Sequence, residues 1–580
     1  MAPVVTLARR LPVKKLLPLI LSALASQAYA VDHGANGAAD HKTQTLAGAG
    51  NLNITLSATG VNGGDGTLSG GNGGAASAVL DLTAAWQASG TISAYGGNGG
   101  NVVPASQDGL YGAGGDATAT GVLRGAGASG SAYAQGGAFG GQYAGLPNAG
   151  NATSSLTAWT SGAQAVDLSS SAYAGQGGGA STATLAVDSG VSQQAAGTAS
   201  VTANVKAIGN GAYSPGDSTA TLNLRGTGNL TGTSLAQTGP SYEDTFVHIS
   251  PAAAARSTVT GVTTGKHDVT LSSTAKGSYG PYGGPGSTAT VSGQSGSGKV
   301  LVTADASAPA QSFGSGSAYA NAVARTTQQG GSSFAKATAN SSVATARAEA
   351  YSVGTGGSTA IATASGDDWS GGSSQAYATS TASDGGSGLL VAGASTSSSG
   401  TAISRAAYGG LSVALPSLTD GPQSQVVVTA GGAAGLGAGM QAASGGNIAY
   451  SVQEGQHNWQ QSAPAGHLWI TFMEGAAGSV PFSSLDLSIS NNGQSLYSVS
   501  FGSVAEANLF FNGQTLDLGP LGAGLQNFSI RSDLTGPTAN YAFNYSLAVP
   551  EPLEWMLMLS GLTVVTLAAR RKSKAASRPV

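Results

Sequence analysis

The sequence predicts an all-β protein. A Gly/Ala/Ser/Thr-rich β-solenoid-like or stacked-sheet repeat region comes first, a C-terminal β-sandwich follows, and hydrophobic helices are confined to the two ends. Three observations predict this. Windows such as Thr182-Ala183-Thr184-Leu185-Ala186-Val187 and Thr219-Ala220-Thr221-Leu222-Asn223-Leu224 alternate hydroxyl with apolar residues. That alternation sends the two kinds to opposite faces of a strand. An Ala-Tyr pair, or a small variant of it, precedes a Gly-containing turn and Ser-Thr-Ala at Tyr173, Tyr213, Tyr282 and Tyr351, and further Ala-Tyr pairs end at Tyr95 and Tyr133. Finally, the stretch after Pro416 changes texture and carries larger apolar residues in alternating runs.

Residues 1–30 divide into three parts. Arg9, Arg10, Lys14 and Lys15 are a basic start, Leu16 to Leu24 a short apolar stretch, and Ala28-Tyr29-Ala30 a small-x-small pattern. This order predicts a secretory signal peptide cut after Ala30 by signal peptidase. The apolar stretch is too short to cross a bilayer of about 30 Å as a helix.

Residues 31–415 are the repetitive low-complexity β region. Thr and Val favour strands, and glycine clusters punctuate them. The tyrosine echo continues irregularly at Tyr282, Tyr319, Tyr351, Tyr377 and Tyr408. Repeats of this length point to stacked supersecondary units. Small inward residues suit a narrow solenoid, in which each buried Ala methyl contributes on the order of 1 kcal/mol. A flexible stalk of the same composition is the competing expectation. A mean hydropathy of +0.06 and 8% charged residues oppose a well-solvated coil.

Residues 416–548 read as a β-sandwich-like domain of about seven short strands. Val426-Val427-Val428 and Leu468 to Met473 are apolar strands. Leu485, Leu487 and Ile489 face Tyr497, Val499 and Phe501 across Asn492-Gly493, a hairpin signal. Asn512-Gly513 is expected to join a strand through Leu509-Phe510-Phe511 to Leu516 and Leu518. Phe528 with Ile530, then Tyr541 to Leu547, supply two more strands.

Residues 549–580 begin Val549-Pro550-Glu551-Pro552, continue through an apolar run from Leu553 to Ala569, and close on Arg570, Arg571, Lys572 and Lys574. A helix of about 17 residues reaches roughly 26 Å, enough for a thin bilayer. The basic cluster would stay cytoplasmic.

This tail resembles the PEP-CTERM sorting signal of Gram-negative bacteria that make extracellular polysaccharide. Pro550, Glu551 and Pro552, the helix Trp555 to Ala569, and Arg570, Arg571 and Lys572 carry the likeness. It covers about thirty residues and leaves the remaining fold undetermined. The resemblance implies cleavage near the motif by an exosortase and release or anchoring at the cell surface, much as a GPI signal loses its hydrophobic tail. A retained single-span anchor is the alternative.

Composition excludes several classes. Ninety-two of the 580 residues are Gly and none is Cys, so disulfide-stapled folds, thiol enzymes and Cys-ligated zinc are ruled out. Collagen's strict glycine period is missing. A net charge of −4 opposes nucleic-acid binding. Without the terminal segments, residues 31–549 keep 13 basic and 24 acidic groups, a net −11.

No catalytic, cofactor-binding or metal-binding constellation emerges. Gly293 to Lys299 matches seven positions of a phosphate-binding loop, but Val300 stands where Ser or Thr should be. Ser333-Phe334-Ala335-Lys336 has the S-x-x-K form without companion motifs. Gly63-Gly64-Asp65-Gly66 has Leu68 where a calcium-binding repeat wants Asp. The six histidines lack ligand spacing. His267-Asp268 and Asp367-Asp368-Trp369 read as turns rather than paired glycosidase carboxylates. Exposed Tyr and Trp could stack on sugars. The expectation is therefore an exported, non-enzymatic surface or matrix protein associated with exopolysaccharide. A secreted polysaccharide-binding or polysaccharide-degrading protein is the alternative.

Overall fold

The computed structural model describes residues 30–65, 70–101, 111–140, 149–189, 199–210, 216–239, 253–277, 286–308, 316–353, 356–366, 373–382, 388–396, 401–409, 423–430, 437–444, 450–463, 465–477, 482–536 and 540–548. Ala28, Pro550, Glu551, Pro552, Arg570, Arg571 and Lys572 lie outside them, and Ala30 opens the first strand. Among the described residues no helix is long and apolar enough to cross a membrane. The described residues are 71% strand and 2% helix. It forms two compact units, one of residues 1–348 with 364–373, the other of 349–363 with 374–580.

In the first unit, successive strands alternate between two parallel sheets, and each strand pairs with the strand two places along the chain. One sheet stacks Leu52–Gly60, Gln87–Tyr95, Gly127–Gln135, Val166–Tyr173 and their successors. The other stacks Ala76–Ala84, Ala117–Gly125, Ala152–Thr160, Ser181–Ser189 and theirs. Two strands make one coil of a β-solenoid-like body. The coil length varies, with stacked positions 41 residues apart at Asn72 and Ala113 but 29 at Asn151 and Ala180. The strands keep their register throughout, so length variation is absorbed by the connections.

The alternating sequence explains the core. Leu156, Leu185, Leu222, Val259 and Val291 occupy one inward row of the second sheet. In the first sheet Ala94, Ala134, Ala172, Ala207, Ala236, Ala275, Ala306 and Ala339 form an unbroken inward row. Where large side chains oppose each other, glycine makes the room. A Cβ on Gly121 would stand 2.7 Å from both Ile92 Cδ1 and Leu156 Cδ1. Buried serines bridge the sheets. Ser257 Oγ lies 2.9 Å from Ser234 Oγ, and Ser273 Oγ donates to Ser257 O at 2.8 Å. Burial of these hydroxyls is tolerated because each finds a partner.

The glycine clusters lie in the connections from the first sheet to the second. Each connection leaves on one limb and returns on another, and the limbs interlock. Gly97 N–H donates to Gly74 O, Gly115 to Gly97 O, Gly137 to Gly115 O, Gly150 to Gly137 O and Gly175 to Gly150 O, all at 2.8–2.9 Å. The backbones are too close for any side chain: a Cβ on Gly137 or Gly175 would sit 1.9 Å from a carbonyl oxygen. Asparagine and aspartate link neighbouring coils. Asn62 Oδ1 accepts from Asn98 N (2.8 Å), Asn98 Oδ1 from Ala138 N (2.9 Å), and Asp116 Oδ1 from Asn151 N (2.7 Å). The described limbs of these connections are held by backbone hydrogen bonds between glycines.

The second unit contains antiparallel pairings. Gln423–Ala430 pairs with Gly437–Ser444, which pairs with Asn540–Ala548, which pairs with Gly466–Ala477. Tyr450–Ala463 pairs with Gly524–Thr535, which pairs with Ser484–Asn491. The hairpin at Asn492-Gly493 forms, with both residues at positive φ (49° and 77°) as the tight turn requires. An aromatic core holds this unit. Phe511 stacks on Phe543 at 4.3 Å, and Phe472 meets Phe510 and Phe511 at 5.1 and 5.2 Å.

One expected element is different. Leu509-Phe510-Phe511 is not a strand but the end of the helix Val504–Phe511. Ser503 Oγ accepts Glu506 N–H at 3.3 Å, and Glu506 Oε2 accepts Gly502 N–H at 3.1 Å. This S-x-x-E cap satisfies the first turn, which the apolar triplet alone does not reveal. Asn512 caps the other end, and Gly513 at φ 82° ends the helix rather than forming a hairpin.

Candidate functional site

The outer face of the second sheet carries the best-formed recognition feature of the solenoid. Strand Ala152–Thr160 buries Leu156 and Ala158, so alternation pushes Trp159 outward, where it is 51% exposed. Cross-strand register aligns it with Arg124 on one side and Asp188 on the other, then with Thr83 and Arg225 further along the row. At a strand spacing of about 4.8 Å, these side chains form one continuous line. Thr83, Arg124, Trp159 and Asp188 border a shallow depression of about 400 Å³ whose rim includes Ala85 and Ser161.

The guanidinium of Arg124 is ion-paired with Asp81 on the neighbouring strand. Both partners are roughly two-fifths exposed, so the pair orients the guanidinium more than it stabilises the fold. A flat apolar ring, a fixed cation, a carboxylate and a threonine in one row can receive a polyhydroxylated ring. The indole face would take the apolar C–H side, and the flanking groups would bond the hydroxyls.

The first sheet carries a second aromatic feature. Tyr95, Tyr133 and Tyr173 stack across three adjacent strands with centroids 5.6 and 5.4 Å apart. Lys206 Nζ caps the series, 5.2 Å from the Tyr173 ring centroid. Partial burial, with the neighbouring Tyr95 and Tyr173, holds the Tyr133 phenol above its usual value. The Ala-Tyr echo thus has a structural meaning over these coils. It does not persist, because Tyr319 lies in the other sheet, beside Thr288. Tyr213 and Tyr282 lie outside the described residues.

The motifs that resemble catalytic signatures have structural roles. Gly293 to Lys299 is the end of strand Ser287–Ser295, a turn, and the start of strand Lys299–Ala308. Ser333 is buried and Lys336 exposed on one strand, so S-x-x-K points to opposite faces. Asp65 Oδ1 accepts from Asn101 N at 2.7 Å, a rung between coils. Asp268 Oδ1 does the same for Lys299 N at 2.8 Å. Asp367, Asp368 and Trp369 lie outside the described residues. Among the described residues no three His, Asp or Glu side chains converge as metal ligands would.

Sequence reasoning did not bring Trp159, Arg124 and Asp188 together. Their separations of 35 and 29 residues are local coil lengths, set by connections of unequal size. Aligning the strand openings Ala117-Thr118-Ala119, Ala152-Thr153-Ser154 and Ser181-Thr182-Ala183 would have placed the three side chains in one row. No protein-family model matches the chain, and no curated protein matches it.

Proposed function

We propose that this chain is an exported structural or adhesive protein of the cell surface or extracellular matrix, non-enzymatic, and associated with exopolysaccharide. In this reading residues 1–30 are removed by signal peptidase. The segment from Pro550-Glu551-Pro552 through Arg570, Arg571 and Lys572 is a PEP-CTERM-like signal processed by an exosortase. The helix Trp555 to Ala569 crosses the membrane before cleavage, and the aromatic-rich C-terminal region is a β-sandwich-like domain. Nucleic acid is not a partner of a body with net charge −11.

The observation that supports the reading best is the tripartite tail joined to a long, hydroxyl-faced β body. Such a body, with 8% charged residues and many outward hydroxyls, is compatible with a hydrated glycan. The test is the intact mass of the protein recovered from the surface of the producing cell. A species ending near Pro552 is expected, and one that retains Trp555 to Val580 overturns the sorting step.

The Trp159 row favours a second reading, a secreted polysaccharide-binding or polysaccharide-degrading protein. Reducing-end release from purified exopolysaccharide separates the degrading variant from the structural one. Steady release above the level of a Trp159→Ala control would favour the enzyme.

A further inference from the structure

The outer face of the second sheet also carries an array that the glycan reading leaves unused. Six adjacent strands present the same two outward positions in register. The pairs are Thr118 and Thr120, Thr153 and Ser155, Thr182 and Thr184, Thr219 and Thr221, Arg256 and Thr258, and Thr288 and Thr290. Of these twelve positions ten are Thr, one is Ser and one is Arg. No bulge or register shift interrupts these six strands. The inward partners Ala119, Ala183, Ala220 and Ala289 are fully buried, so the positions between the threonines are fixed by the core.

Two properties characterise this array. Among the described residues, none of its eleven hydroxyls bonds to another group. In the opposite sheet some outward hydroxyls are taken up: Ser89 Oγ lies 2.7 Å from Ser129 Oγ, and Thr233 Oγ1 donates to Asn204 Oδ1 at 2.5 Å. Charge is also kept off the first four strands of the array, and Arg256 is the one charged position of the twelve. The four strands from Thr118 to Thr221 carry no ionisable group in these two rows, whereas Arg124, Asp188 and Arg225 occupy the row at the far edge of the same face. In the opposite sheet Asp167 interrupts the equivalent hydroxyl row between Ser129 and Thr202.

The spacing defines the occupant. Strands repeat at about 4.8 Å, and alternate residues along a strand at roughly 6.7 Å, so the threonines mark a rectangular net. Thr is stiff at χ1 because it is β-branched, which gives each position the same methyl and hydroxyl placement. Hexagonal ice offers an orthogonal pair of oxygen repeats, one slightly shorter than the strand spacing and one slightly longer than the two-residue rise. A neutral net of methyls and unbonded hydroxyls can hold a layer of water at those repeats before contact. The ordering entropy is then met in the folded protein and not at the crystal surface.

We propose that this threonine face binds ice. A soluble sugar chain is a poorer occupant of these rows. It would want aromatic platforms and varied hydrogen-bond partners, and the array has neither, whereas Trp159 two rows away has both neighbours and exposure. A neutral crystal requires what the strands from Thr118 to Thr221 present: a periodic surface, four strands wide, with no charged group in its two rows.

The test uses the purified full chain in a nanolitre osmometer and in a recrystallisation assay. The parent protein is expected to shape ice crystals, open a gap between melting and freezing, and halt grain growth. Thr184→Lys and Thr221→Lys place a long cation in the middle of the net while leaving the inward face intact, and each is expected to lose most of that gap. Thr231→Lys on the opposite sheet, at an exposed position, is expected to keep it. Circular dichroism and melting temperature identify which variants fold like the parent. A parent chain without hysteresis or ice shaping overturns the proposal outright, whatever the variants do. So does equal hysteresis in the parent and in a folded Thr184→Lys or Thr221→Lys variant. Adsorption to an insoluble glycan that Thr184→Lys abolishes, with no effect on ice, would reassign the face to polysaccharide.

Discussion

Gly137 stands so close to Gly97 that a Cβ on Gly137 would lie 1.9 Å from the Gly97 carbonyl oxygen. Gly137 also donates its N–H to Gly115 O and accepts from Gly150 N–H through its own carbonyl, so it is a link in a chain of backbone hydrogen bonds between connection limbs. No φ in the left-handed range is involved; the constraint is contact with backbone, which cannot rotate away. Gly137→Ala is therefore expected to part the limbs and break adjacent links. The loss should exceed the ~1–3 kcal/mol of ordinary overpacking. Thermal melting followed by circular dichroism checks this. As a control, Gly64→Ala, where a Cβ meets nothing within 4 Å, is expected to change the melting temperature little.

Asn98 makes a different kind of link. Its backbone N–H reaches Asn62 Oδ1 at 2.8 Å, and its own Oδ1 accepts from Ala138 N at 2.9 Å. Replacing it with Leu leaves the Ala138 N–H without its acceptor, at a cost of ~1–3 kcal/mol if water does not reach it. Asn98→Asp keeps an acceptor and is expected to restore most of the loss. Hydrogen exchange at Ala138 reads the bond directly: faster exchange in the Leu variant and near-parental exchange in the Asp variant.

These two positions show which features the sequence revealed. The strands of the solenoid were legible because Thr-Ala-Thr alternation has one structural meaning, and the in-register stacking of Leu185 on Leu222 follows from it. The glycine runs were legible only as punctuation. That Gly97, Gly115 and Gly137 bond to one another depends on limbs 18 and 22 residues apart in sequence meeting in space, and no local pattern encodes such a meeting. The helix Val504–Phe511 was hidden because Leu509-Phe510-Phe511 also fits a strand, although Ser503 and Glu506 had the spacing of a cap. The Trp159 row was hidden for the reason the glycine links were, since its members belong to different coils. Their register is a property of the stack and not of any one repeat.

The aromatic core of the second unit predicts an alkaline limit to stability. Burial pushes the phenol of Tyr541 above its usual range and that of Tyr545 well above it. Unfolded tyrosines ionise near pH 10. Between that value and the higher folded values, the unfolded chain binds fewer protons than the folded one, so stability falls as pH rises. Below about pH 9 the two phenols are neutral in both states and contribute no pH dependence. Melting curves from about pH 8 to about pH 11 are expected to be flat at first and then to decline. Tyr541→Phe removes one of these titrating groups and should shallow the decline. It also removes the 3.1 Å bond to Asn508 Oδ1, which costs ~1 kcal/mol at neutral pH. A decline of unchanged slope in that variant would assign the alkaline limit to other groups.

Trp159 supplies the clearest separation of recognition from folding. Its ring is half exposed, and its neighbours Leu156 and Ala158, not the ring itself, fill the core. Trp159→Ala is thus expected to leave the melting temperature nearly unchanged, because substitutions on an exposed face usually lie within ~0.5 kcal/mol. If the row Arg124, Trp159 and Asp188 holds a sugar ring, the same variant should lower affinity for the producing cell's purified exopolysaccharide at least tenfold, the equivalent of about 1.4 kcal/mol of stacking. Affinity electrophoresis at fixed ionic strength measures this. Asp81→Asn supplies the companion test, since it releases the Arg124 guanidinium without touching the indole. If orientation of that cation matters, affinity falls in both variants, and the Asp81→Asn loss grows smaller as salt screens the guanidinium. If only the flat ring matters, Asp81→Asn binds like the parent while Trp159→Ala does not. Equal binding by all three proteins would remove the row from glycan recognition and leave Trp159 as an exposed residue of the sheet.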